Sequence, residues 1–158
     1  MKALTVWQPW ASLIAIGAKP YEFRGWPVPR SLIDCRIAIH AGARPIKRDE
    51  IADLIYRLRA PEGAWTTALK PEIALPWLEW AHANPHLLPR AAIVATAIIG
   101  LCKPAYEIIH EFGAVVGDSD RREHMNRAWP LGSIERQFPT VPARGAQGFW
   151  NWSQSEPF

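Results

Sequence analysis

The chain has 158 residues, of which 49% are hydrophobic and 21% charged, with a net charge of +3. That is a globular composition with enough chain for one core, and it excludes disordered, collagenous and disulfide-scaffold classes. The longest uncharged apolar run, Ala91 to Cys102, is too short to span a membrane.

Leu4 to Trp7 reads as a short strand. Gln8-Pro9-Trp10 then opens a helix, with Pro where a missing N–H is harmless. This helix continues to Ile16 and ends at Gly17, with Trp10, Leu13, Ile14 and Gly17 on one face. Tyr21 to Trp26 alternates: Tyr21 and Phe23 point inward, while Glu22, Arg24 and Trp26 point the other way. Arg36 to Ala41 is a second strand, with Ile37 and Ile39 on one face and Arg36, Ala38 and His40 on the other. Pro45 opens a second helix to about Arg59, with the apolar stripe Ile51, Leu54, Ile55 and Leu58.

Residues 60–90 carry Pro71, Pro76, Pro85 and Pro89, so the expectation there is an irregular excursion with short helices. Ala91 to Leu101 is apolar and branched, a buried strand. Residues 105–128 are polar, with Asp118 to Glu123 as a solvated loop or helix start. Gly132 to Phe138, a stretch about Val141, and Gly148 to Trp152 supply two or three more strands. Strands scattered among helices without strict alternation predict an α+β fold: a single domain over 1–158, built as a small mixed β-barrel with helices packed outside.

Nine Trp and 13 Arg against 5 Lys are the unusual counts. Indoles offer flat faces on which bases stack, and guanidinium suits phosphate better than ammonium does. Cys35 and Cys102, far apart and outside any C-x-x-C, read as reduced, partly buried thiols. His82 and His86 have zinc-like spacing, but Pro85 interrupts the helix that would align them, so no metal and no cofactor are expected. The opening residues lack the long apolar region and cleavage site of a signal peptide, so a cytoplasmic protein without membrane partners is expected.

The densest polar cluster is Gly17-Ala18-Lys19-Pro20-Tyr21-Glu22-Phe23-Arg24. A cation, an anion and a second cation beside Trp7, Trp10 and Trp26 can bind a polar ligand, or can form a plain surface ion pair. With this string, the sequence resembles the ASCH (activating signal cointegrator homology) domains of the PUA-like superfamily. The matching residues are Leu4 to Ala11, then Gly17-x-Lys19-x-x-Glu22-x-Arg24, then Trp26 and Ile37 to Ala41. Pro142-x-Arg144-Gly145-x-Gln147-Gly148-Phe149-Trp150 is similar to the tail of bacterial and phage-type members.

The resemblance implies a PUA-like pseudobarrel with a cleft lined by that string, and a nucleic-acid or nucleotide-related role. Relatives include RNA or DNA binders, a group that hydrolyses acetylated cytidine, and a member credited with ribonuclease activity. Glu22 stands where the cytidine amidohydrolases carry Thr, so their hydroxyl nucleophile is absent.

Three functions stay open. The first is a binding module for RNA rather than DNA, or for a nucleotide. It would use Trp7, Gln8, Trp10, Lys19, Glu22, Arg24, Trp26 and His40, with an indole stacking a base and Lys19 and Arg24 meeting phosphate or base edges. The second is a hydrolase of RNA or a modified nucleoside, with Lys19, Glu22 and Arg24 as its polar machinery and water as nucleophile. The third is a protein-interaction module.

Overall fold

The structure, a computed structural model, describes residues 1–112 and 127–153. In chain order the elements are β1 (Lys2–Val6), α1 (Trp10–Ala15), β2 (Tyr21–Arg24), β3 (Cys35–Ala41), α2 (Arg48–Arg59), α3 (Gly63–Thr67) and α4 (Pro71–Ala83). They continue with β4 (Ala92–Ile99), β5 (Lys103–Pro104), α5 (Ile109–Phe112), β6 (Arg127–Pro142) and β7 (Phe149–Asn151). The strands form one curled mixed sheet in the order β2-β6-β4-β3-β1-β7, with β5 also on β6. The pair β1–β3 is parallel and the other pairs are antiparallel. The fold is thus α+β, a half-barrel with helices around it, as the sequence predicts.

The alternating apolar residues of β1 and β3 explain where the core sits. Leu4, Val6, Ile37 and Ile39 fill the concave side together with Ile14 of α1 and the fully buried Trp129 of β6. Gly17 adopts a positive φ of 78°, which lets Gly17 and Ala18 return N–H bonds to Ile14 and Leu13 and ends α1. The α2 stripe of Ile51, Leu54, Ile55 and Leu58 is buried as its spacing predicts, against Leu78 and Ala81 of α4. This helix begins at Arg48 rather than Pro45, because Lys47 remains extended.

Two stretches differ from the sequence reading. Residues 60–90 hold a 13-residue helix, α4, rather than only short ones. Pro71 occupies its first turn, and Pro76 lies on the exposed side, so packing of Ala74, Leu78 and Ala81 outweighs the lost backbone bond. The expected strands at Gly132–Phe138 and Val141 are parts of the single strand β6, which begins at Arg127. Its pairing passes from Arg136 opposite Ala95 to Val141 opposite Ile93, so the extra residues, Pro139 among them, loop out as a bulge. Cys35 is exposed rather than partly buried, while Cys102 is half-buried, and both are free thiols. The expected loop at 118–123 lies outside the described residues.

Among the described residues no helix is long and apolar enough to cross a membrane. The packing of α2 yields a direct test. Leu54→Ala should cost about 3 kcal/mol, the usual loss for a buried leucine, whereas Tyr56→Ala should change stability by less than about 0.5 kcal/mol. Leu54 is 2% exposed and Tyr56 79%, and denaturant unfolding of both variants measures the contrast.

Candidate functional site

The turn after α1 drops Lys19 straight into the interior, where it is 0% exposed. Its Nζ lies over the rings of Trp10 and Phe23, 5.4 and 4.9 Å from their centroids. Nζ donates to the Tyr21 carbonyl at 2.6 Å and lies 3.5 Å from Glu22 Oε2. The other carboxylate oxygen, Oε1, pairs with Arg24 Nη2 at 2.8 Å. The same Nη2 donates to the Thr5 carbonyl at 3.3 Å, and the Arg24 guanidinium sits 5.6 Å from the ring of Trp26. One carboxylate therefore holds two cations, and the chain of charges runs from the interior to the surface. Arg24 Nε is buried and has no hydrogen-bond acceptor among the described residues.

Alternation along β2 works as expected for its apolar positions: Tyr21 and Phe23 join one buried cluster. Glu22, however, is also buried, because β6 lies alongside and places Trp129 opposite it. Trp129 is the anchor that sequence reading missed. Its Nε1 donates to the Trp26 carbonyl at 3.0 Å, and its ring stacks on Phe149 of β7 at 5.6 Å and 3°. The signal was present in Arg127 to Leu131, but a strand begun at Gly132 leaves Trp129 out of the parity count.

The structure brings Lys19, Glu22 and Arg24 together, with Trp10 at the inner end and Trp26 at the outer end. Trp26 and Trp7 are 45% and 52% exposed. Trp7 follows β1 directly, and the Arg44 guanidinium lies 4.2 Å from its ring centroid. Arg44 in turn pairs with Glu50 in the first turn of α2. Gln8 serves a different purpose. Buried, it donates to Ser12 Oγ and the Pro89 carbonyl, both at 2.8 Å, and accepts the Ser12 N–H. It ties the start of α1 to the segment ahead of β4.

His40 also bonds elsewhere, on the face of β3 opposite the barrel core. Its Nε2 lies 3.0 Å from the Ala143 carbonyl, which only accepts, so Nε2 carries a proton. Nδ1 faces Thr5 Oγ1 at 3.2 Å. That hydroxyl lies 2.7 Å from the Ala146 carbonyl as donor and accepts Trp150 Nε1–H at 3.0 Å. A Cβ on Gly145 would overlap the His40 ring, so glycine alone lets the 143–148 loop close over it. Burial lowers the His40 pKa below its usual 6.5, against the raising effect of the Ala143 bond.

On the far side of β2, Tyr21 Oη donates to the Glu111 carboxylate at 2.7 and 2.8 Å. Burial first, and the Glu111 carboxylate second, push the Tyr21 phenol far above its usual pKa. A cavity of about 510 Å³ opens beside this pair, lined by Leu69, Lys70, Phe112 and Leu131 among others. Among the described residues no His, Cys, Asp or Glu group is arranged to hold a metal ion.

Among solved structures, the fold is similar to that of a single-residue mutant of ZmASCH from Zymomonas mobilis. The match covers 97% of this chain and 89% of that one, with 14% identity and a TM-score of 0.49. No family model matches the chain, and no curated protein matches it.

Two outcomes follow from the buried charges. Lys19→Met should cost about 3 kcal/mol, because it strips one cation from a buried carboxylate. Adding Glu22→Gln should recover part of that loss, which chemical denaturation of the double variant would show. For His40 the folded pKa lies below the unfolded 6.5. Its contribution is complete above pH 6.5 and is lost as pH falls toward the folded value, since only the unfolded state then binds the proton. Thermal melts of wild type against His40→Gln should converge as the buffer is acidified through that window.

Proposed function

We propose that this chain is a PUA-like binding module of the ASCH type that holds RNA or a nucleotide at the mouth of the half-barrel. One observation carries the reading: Arg24 is fixed by Glu22 and the Thr5 carbonyl, keeps a buried Nε without an acceptor among the described residues, and stands beside the half-exposed Trp26. A guanidinium held in one orientation suits a phosphate or a base edge, and an exposed indole beside it suits base stacking. Trp7 adds a second exposed indole. Lys19 and Glu22 act from behind, as the buried charges that orient Arg24. His40, Gln8 and Trp10 hold the elements that frame the mouth.

A hydrolytic reading rests on the Lys19–Glu22 pair, 3.5 Å apart. Burial of both groups favours the supporting role over direct contact with a scissile bond. Incubation with acetylated cytidine and with labelled RNA, read by mass, separates the two. Turnover that vanishes in Glu22→Gln would displace the binding reading.

Titration of a short single-stranded RNA at two salt concentrations tests binding itself. Affinity should fall as salt rises, because phosphate contacts release counterions. Trp26→Ala should weaken binding by about 1–3 kcal/mol, the usual worth of one stacked base. Arg24→Lys should weaken it too, since a point charge cannot reproduce the fork. Unaltered affinity in both variants would remove the mouth from the site.

A further inference from the structure

Four neighbouring strand ends meet at one rim of the sheet. The register places Pro142 of β6 opposite Ala92 of β4, Ala92 opposite Ala41 of β3, and Ala41 opposite Val6 of β1. Two further backbone bonds, Ala143 N–H to the Ala91 carbonyl and Gly42 N–H to the Val6 carbonyl, extend this ladder by one step at 2.9 Å each. Immediately beyond stand Arg144, Arg90 and Trp7, and Arg44 follows Gly42 with Ala43 between them.

We propose that this rim, Arg144–Arg90–Arg44 leading to Trp7, is a track for the phosphate backbone of a single-stranded nucleic acid. The proposal rests on the binding reading above and extends it to residues away from the mouth. Neighbouring strands lie about 4.8 Å apart, so four strand ends span about 15 Å, a stretch that several nucleotides cover. Arg90 and Arg144 are exposed, and Arg90 Nη1 reaches the Ala43 carbonyl at 3.4 Å, which brings its guanidinium to the end of β3 next to Arg44. Arg44 lies over Trp7 and is steadied by Glu50, so an indole and a planar cation sit together at the end of the row.

The charge is local rather than general. The whole chain carries only +3, yet three arginines share this rim, and Lys47 and Arg48 follow Arg44 at the entrance to α2. Among these arginines Arg44 has an ion-pair partner, Glu50, whose carboxylate a phosphate would have to compete with. A one-sided row of cations ending in an exposed aromatic surface matches a single strand, whose bases are free to stack, better than a closed duplex.

The experiment measures log affinity against log salt for a ten-nucleotide RNA and the matching DNA. Wild type is compared with R90Q/R144Q and with Arg59→Gln, which lies at the opposite end of α2. Each lost phosphate contact lowers the slope for a single strand by about 0.7, so the double variant should lose about 1.4 units and bind at least tenfold more weakly at low salt. The slope should fall for both RNA and DNA, because phosphate is common to them, and Arg59→Gln should match wild type. Wild-type binding with an unchanged slope in R90Q/R144Q would overturn the rim and leave the mouth standing. A wild type that binds neither oligonucleotide would remove both. Polyglutamate that competes as strongly as RNA at equal charge would overturn the nucleic-acid assignment.

Discussion

The fold is organised around a buried chain of charges. Lys19, Glu22 and Arg24 leave water together, and a lone buried charge would cost several kcal/mol. The cost is offset because no member stands alone. Glu22 places one oxygen on each cation, Lys19 adds a backbone carbonyl and two aromatic faces, and Arg24 adds the Thr5 carbonyl. These contacts join the turn after α1, β2 and the C-terminal end of β1. The position of β2 against the rest of the half-barrel, and with it the shape of the mouth, depends on that arrangement.

A second polar cluster locks the opposite face. His40 donates to the Ala143 carbonyl and Thr5 to the Ala146 carbonyl, Trp150 donates to the Thr5 hydroxyl, and Gly145 lies against the imidazole. The Met1 amino group and carbonyl both bond to Trp152. The end of the described chain is thereby held along β1, the strand whose C-terminal side carries Trp7. Phe149, in the same segment, reaches the core face and stacks on Trp129, which holds the backbone of Trp26. Trp7 and Trp26 thus both depend on the C-terminal segment, one through β1 and the other through Trp129.

Local signals read well where one period and one cap decide the outcome. The apolar stripe of α2, the Gly17 stop, and the opposite faces of β3 all follow from side-chain spacing that adjacent residues set by themselves. They read poorly where a distant partner outweighs local preference. Pro76 argues for a break, but burial of Leu78 and Ala81 on α2 carries the helix through it. Proline also made the end of β6 look like separate strands, because the bulge that accommodates Pro139 exists only against β4.

The same division runs through the candidate site. The sequence by itself determined that Lys19, Glu22 and Arg24 are neighbours, that Glu22 and Arg24 share one face of a strand, and that indoles stand close by. Only the tertiary structure decided that Lys19 is sealed inside and Arg24 reaches the surface, because that depends on the Trp10 and Phe23 rings meeting the Lys19 ammonium and on Trp129 of β6 standing opposite Glu22. Only the sheet register brought Arg44, Arg90 and Arg144, scattered along the chain, to one rim. Spacing of two, three or four residues is set by the backbone's own geometry, whereas adjacency across strands is set by the hydrogen-bond ladder and by which hydrophobic faces meet in the core.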